Sequence, residues 1–180
     1  AEIAATLLYP VCDVPFRAIY DTVRGWSDAR RAEVLDVALQ SRGRRDDMLR
    51  GFRGGQYCYD MLIDVGAYRD MHRHRRCHQY RQAYSGLHGY EVPLQLVQAG
   101  LETDFREAME AALDAMHHLP NPANQYLLPF GARSRFLFKM DFAEAEYISR
   151  VRSGVKGHFS YREIAWEMKL RLEEQEPELG

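Results

Sequence analysis

Apolar residues recur at helical spacing through Phe16, Ile19, Tyr20 and Val23, directly after Pro15, and this predicts a helix. Ser27 then stands at the N-cap of a second predicted helix carrying Val34, Leu35, Ala38 and Leu39. Ahead of both, the run from Ile3 to Tyr9 is too short for periodicity to decide between a strand and a buried turn of helix. From Ser41 to Gly55 no apolar face recurs and Arg, Asp and Gly dominate, so a mobile or ligand-facing loop is expected. Tyr57, Tyr59, Met61 and Ile63 alternate with other residues, as in a strand with one buried side, until Gly66 breaks the pattern and a helix begins.

In the second half, Tyr90 to Val92 reads as a short extended piece closed by Pro93. Leu94 to Leu119 reads as strongly helical with an interruption at Gly100, ended by Pro120 and Pro122. Tyr126 to Leu128, and then Phe136, Phe138 and Met140, are predicted as strands. Helices follow over Phe142 to Val151 and from Ser160 to about Glu174. No repeat or linker divides the pattern, so a single α+β domain over residues 1–180 is expected.

Composition narrows the classes. With 180 residues, 46% of them hydrophobic and 28% charged, the chain can bury a core. A formal charge of -2 gives no global positive field for DNA or RNA, so nucleic-acid binding is not expected and any bound anion must be met locally. Cys12, Cys58 and Cys77 form no CxxC pair, which points to a reduced, cytoplasmic compartment. No run approaches the ~18 apolar residues of a membrane span, and the basic-then-apolar order of a signal peptide is missing, so neither a membrane protein nor a secreted one is expected. The chain opens at Ala1 without Met, as a processed, trimmed or carboxy-terminal piece of something longer would.

The densest chemistry runs from His72 to Gln82, on or just after the helix that follows Gly66. Here four arginines (Arg73, Arg75, Arg76, Arg81) and three histidines (His72, His74, His78) fall in eleven residues. They repel one another unless an anion lies between them. A solvated charged face, with Asp70 and Glu91 as counter-ions, is the competing reading. His74 and His78 have a zinc-like spacing, but no carboxylate lies between them and no Cys pair supports them, so no metal is expected. A second basic group, Arg133, Arg135, Arg150, Arg152, Lys156 and His158, is interleaved with Gly154 and Gly157. Guanidinium forks grip phosphate and glycines let backbone approach a ligand. Cys77 reads as a structural thiol, and no Gly-rich loop follows a strand to suggest a Rossmann or P-loop site.

Arg73, His74 and Arg75 form an RHR triplet. After it come Leu128-Pro129, then Arg135 opening an aromatic strand, then a helix ending in Val151-Arg152, and then His158. This order, from about Tyr57 to Ala165, resembles the flavin-dependent thymidylate synthase (ThyX) family, whose pattern is RHRxxSxNxxSxR. The chain departs from that pattern with His78, Tyr80, Ala83 and Ser85 at the family's Ser, Asn, Ser and Arg positions. Asp141 and Ala143 stand where the family has Asn and a flavin-holding Arg. Such departures resemble a divergent branch like the UMP methylases of polyoxin-type nucleoside antibiotic pathways.

The resemblance implies an α+β fold with a small antiparallel sheet and several packed helices. It implies FAD held by Arg73, His74, Arg75 and His158, with Asp141 and Tyr147 at the same pocket. A uridylate, UMP or dUMP, would be bound by Arg135 and Arg152, which are also the catalytic candidates that polarise the uracil ring. Asp70 and the segment Arg81, Gln82, Ala83, Tyr84 and Ser85, supplied by a neighbouring subunit, would complete the nucleotide site. The implied reaction is C5-methylation with methylenetetrahydrofolate and NADPH as co-substrates, in a homotetramer with shared active sites and without a cysteine nucleophile. Two alternatives stay open: a flavin- or nucleotide-binding relative that has lost methylation, and a single-stranded RNA module stacking bases on Tyr80, Tyr84 and Tyr90.

Overall fold

A computed structural model describes residues 1–179. Its helices are α1 (Glu2–Leu8), α2 (Phe16–Arg24), α3 (Asp28–Leu39), α4 (Val65–Met71), α5 (Leu94–Gln98), α6 (Glu102–His117), α7 (Phe142–Arg152) and α8 (Phe159–Gln175). Three strands, β1 (Tyr57–Asp64), β2 (His78–Arg81) and β3 (Arg133–Met140), form one antiparallel sheet in the order β1-β3-β2. The fold is therefore α+β, as the sequence predicts. The chain divides into two compact units: residues 1–58, 139–157 and 165–180 in the first, and 59–138 and 158–164 in the second.

In the first unit the open question over Ile3 to Tyr9 resolves as helix. Ala4, Ala5, Leu7 and Leu8 are strong helix formers, and Ala4 and Ala5 are buried against Ile19 and Val23 of α2, with Leu8, Tyr20, Trp26 and Val34 around them. Ser27 caps α3 as predicted, its hydroxyl accepting from the Arg30 amide at 3.3 Å. The loop after α3 contains one short 3-10 turn, Arg50–Arg53, which buries Phe52. Phe52 meets the Phe142 ring at 5.9 Å, and Tyr57 meets it edge-on at 6.0 Å. Gly51 is required there, because a Cβ would come within 2.5 Å of Leu7.

The strands β1 and β3, most of whose residues lie in the second unit, alternate as expected of strands with one covered face. Ser134, Phe136, Phe138 and Met140 of β3 are buried while Arg133, Arg135, Leu137 and Lys139 are half-buried. Tyr68 of α4 stacks on Phe136 at 4.0 Å and forms the centre of this core. The Gly100 interruption is real: with φ +72 it separates α5 from α6. Tyr90, in the predicted extended piece, bridges antiparallel to Ala132.

One expectation is corrected and another is narrowed. Tyr126 to Leu128 is not a strand: residues Ala123–Leu127 form a 3-10 turn, with the Asn124 and Gln125 amides bonded to the Pro120 and Pro122 carbonyls. Those donors are turned inward on local acceptors and no ladder forms. The cluster His72 to Gln82, expected on or just after the helix, lies just after it. Helix α4 ends at Met71, a turn follows, and His78 already belongs to β2, so His74 and His78 do not share a helix face.

Candidate functional site

Asp64 starts α4 by accepting the Ala67 amide at 2.7 Å. The helix delivers a tight turn in which the His74 amide bonds the Met71 carbonyl and the Cys77 amide bonds the His74 carbonyl, both at 3.2 Å. Gln79, one strand residue later, reaches back: its Nε2 donates to the Met71 carbonyl at 3.4 Å and to the His74 carbonyl at 3.1 Å. The turn is thus closed from inside. His74 and Cys77 are buried at 7% exposure, while Arg73, Arg75 and Arg76 point to solvent. The triplet is read exposed, buried, exposed. The buried Cys77 fits the structural role expected of it.

Of nearby acids, Asp70 stands 4.0 Å from Arg73 Nη2, a loose contact for an ion pair. The exposed guanidiniums suit a polyanion such as a pyrophosphate, and this donor set fits the phosphate part of FAD.

Beyond β2, the Gln82 amide bonds the Arg135 carbonyl at 3.1 Å, which lays the segment 82–85 beside β3. Arg81 lies over the Tyr84 ring at 4.6 Å, and Tyr84 meets Phe136 edge-on at 6.5 Å. Tyr84 also donates its amide to Gln125 at 3.2 Å, and the Ser85 hydroxyl accepts from the Leu87 amide at 3.4 Å. Ala83 is exposed. Arg135 projects from the opposite face of β3 to Phe136 and pairs with Asp60 of β1 at 3.3 Å. Arg133 is engaged with Glu91 at 2.6 Å and with the His88 carbonyl at 3.1 Å. Burial raises the Tyr68 hydroxyl, with Tyr84 adding to the rise and Arg81 opposing it.

His158 opens α8. Its Nδ1 accepts from the Ser160 amide at 3.4 Å and its ring lies 4.2 Å from Phe159. With Nδ1 as acceptor, the neutral ring carries its proton on Nε2. The Ser160 hydroxyl is hydrogen-bonded to Asp64, tying this turn to the start of α4.

Asp141, Tyr147 and Arg152 belong to the first unit, on α7. Asp141 is its N-cap, accepting the Glu144 amide at 2.9 Å, and Ala143 is buried at 5% exposure. Tyr147 is exposed and has the Arg150 guanidinium 5.7 Å from its ring centre. Arg152 ends the helix, half-buried.

Within the second unit the structure therefore brings together Asp70 with Arg73 to Arg75, and Arg81 to Ser85 with Arg135. Sequence reasoning missed Gln79, Asp60, Asp64 and Ser160. Of these, the alternation of β1 offers a signal only for Asp60, by placing it on the outer face. Among the described residues no helix is long and apolar enough to cross a membrane.

A UPF0159 protein of Chlamydia muridarum is 34% identical over 93% of this chain and 32% of its own length. A UPF0159 protein of Chlamydia pneumoniae is 32% identical over 91% of the chain and 32% of its own length. One from Thermoplasma acidophilum is 26% identical over 99% of the chain and 37% of its own. The chain spans about a third of the length of these relatives. The family described as thymidylate synthase complementing protein matches residues 49–178, a stretch that holds the RHR turn, β3, α7 and all of α8, and the chain belongs to that family, the flavin-dependent thymidylate synthases.

Proposed function

We propose that this chain forms part of a flavin-dependent enzyme that methylates C5 of a uridylate, UMP or dUMP. The observation that supports this most is the RHR turn, held from inside by Gln79 so that Arg73 and Arg75 face outward on a rigid base. Arg73, His74, Arg75 and His158, with Tyr147 and Asp141, are proposed to hold FAD, and Arg135 and Arg152, with Asp70 and the segment Arg81 to Ser85, to hold the nucleotide. FAD, when bound, supplies the redox chemistry. The protein's part is to fix the two anions and to direct cationic donors at the uracil carbonyls, where negative charge develops. His158 is set to donate from Nε2, and Arg73 and Arg75 to neutralise phosphate charge. Methylenetetrahydrofolate as one-carbon donor, NADPH as reductant, a homotetramer with shared sites and a cytoplasmic location belong to the same proposal.

The polyoxin-type branch is part of this proposal and rests on two positions of the sequence. Ala83 and Ser85 are short where the family has Ser and Arg, which leaves room beside a ribose 2′-hydroxyl. UMP is expected to be methylated at least as well as dUMP. The test is reconstitution with FAD, followed by kcat/KM for both nucleotides with methylenetetrahydrofolate and reduced flavin. A protein that takes up no flavin sinks the proposal, and a strong dUMP preference sinks the branch.

One observation favours a second reading, a relative that binds flavin without methylating. Asp141 serves as a helix cap and the buried Ala143 replaces a flavin-holding Arg. Flavin binding with no methylated product under any reductant would select it.

A further inference from the structure

The first unit contains a cavity of about 440 Å³ among α3, α7, α8 and the loop after α3. That volume lies within the range of small-molecule sites. On α7 the cavity takes Phe142, Glu146, Ser149, Arg150 and Ser153, which follow i, i+4, i+7, i+8 and i+11 and so form one helix face. Tyr147 and Arg152 do not share that face, so the cavity uses a different side of α7 from the two residues of this helix assigned to flavin and nucleotide.

Its walls have two characters. Leu39, Met48, Phe142, Leu172 and Trp166 supply an apolar body. At one side, two guanidiniums converge on a single carboxylate oxygen: Arg42 Nη2 at 3.0 Å and Arg150 Nε at 3.1 Å from Glu146 Oε1. Both arginines are also held by backbone carbonyls, Arg42 by that of Asp46 at 3.1 Å and Arg150 by that of Arg44 at 3.2 Å. Carbonyls orient a guanidinium without cancelling its charge, so two positive charges face one negative charge. Arg42 and Glu146 are largely withdrawn from water, with side-chain exposures of 21% and 20%, while Arg150 is a third exposed at 33%, so charge is least screened at the Arg42–Glu146 contact.

The other lining charges are differently placed. Lys169 is paired with Glu173, and Glu176 accepts the Tyr57 hydroxyl at 2.7 Å. Tyr57 also meets Phe142, which sets Glu176 at the Phe142 end of the α7 face, away from Arg150 and Ser153. The cavity is thus cationic at one end, apolar along its walls and acidic at the other.

We propose that this cavity binds an apolar monocarboxylate. The carboxylate would bridge Arg42 and Arg150, the hydrocarbon would lie against Phe142, Leu172 and Trp166, and Glu176 would disfavour the reversed orientation. Arg favours this role over Lys because its fork is planar and fixed before the ligand arrives.

Trp166 provides the readout, since Trp26 is the other of the chain's two tryptophans. In a Trp26→Phe protein, titration with decanoate should change Trp166 emission saturably. Decan-1-ol, of equal chain length and no charge, should bind at least tenfold more weakly. Arg42→Gln should weaken decanoate about tenfold, one charge-assisted contact's worth, and leave decan-1-ol unchanged. Leu39→Phe, which fills the apolar wall and keeps both arginines, should weaken both ligands while the circular dichroism melt stays cooperative. Equal binding of acid and alcohol, an unaltered decanoate affinity in Arg42→Gln, or no saturable change would overturn the proposal. FAD binding is measured on the same samples, so a failed cavity and a failed flavin site are told apart.

Discussion

Arg135 of β3 and Asp60 of β1 face each other across neighbouring strands, Nη1 3.3 Å from Oδ1, with side chains 42% and 64% exposed. An exposed pair of this kind contributes roughly 0–1 kcal/mol, so a nucleotide phosphate competes with Asp60 on favourable terms. Asp60→Asn should tighten UMP about two- to fivefold, with the larger gain at low ionic strength, where the removed charge is least screened. Calorimetric titration at two salt concentrations checks this. An unchanged affinity would mean that Arg135 does not meet the phosphate.

Gln79 acts through two backbone carbonyls rather than through a ligand. Gln79→Leu removes donors from the Met71 and His74 carbonyls. At about 0.5–1.5 kcal/mol net for each hydrogen bond, stability should fall by about 1–3 kcal/mol in urea. FAD affinity should fall with it, because Arg73 and Arg75 lose their fixed base. Full FAD affinity in a protein destabilised by that amount would separate the turn from flavin binding.

Asp141 is assigned to the cofactor by resemblance and to the α7 cap by geometry. Asparagine caps about as well as aspartate, whereas alanine loses about 0.5–2 kcal/mol. Asp141→Asn should therefore keep the thermal midpoint and Asp141→Ala should lower it. If FAD affinity drops in the Asn variant at unchanged stability, the carboxylate also serves the flavin; if it holds, the residue is a cap alone.

Tyr59 is pushed up to about 12 by burial. Its neutral form is favoured in the folded chain, so the stabilisation is fully present below its ordinary value of about 10 and is lost as pH rises from there through about 12. Partial exposure discounts the full shift, leaving roughly 1–2 kcal/mol. Absorbance titration should show Tyr59 among the late-ionising tyrosines, a late component that Tyr59→Phe removes, and Tyr59→Phe should flatten the loss of stability over that window. A Tyr59→Phe protein with the same alkaline slope would refute the assignment.

Much of the fold was legible because apolar spacing is local. Phe16 to Val23, the Ser27 cap, β1, β3 and α7 follow from period and cap alone. Ile3 to Tyr9 is ambiguous in sequence because its outcome depends on Ala4 and Ala5 docking on Ile19 and Val23, distant in sequence. Tyr126 to Leu128 has strand-forming residues and no partner strand; Tyr126 is 90% exposed. At the candidate site, charge density marked residues 72–82 correctly as a cluster but concealed a turn followed by a strand. Asp60 acquires its role from the register of β1 against β3, and Gln79 from carbonyls five and eight residues back. Neither relation has a compositional signature.

The alternation of β3 ties two requirements to one parity. Arg135 and Phe136 are adjacent, one on the outer face and one in the buried layer. Losing a single residue within the strand would exchange them, sinking a guanidinium among Phe138 and Tyr68 and leaving a phenyl ring where the anion is to be met. Two residues gained or lost would restore both faces. Length in this strand is therefore quantised by the pleat, and insertions and deletions there are tolerated in even steps or not at all.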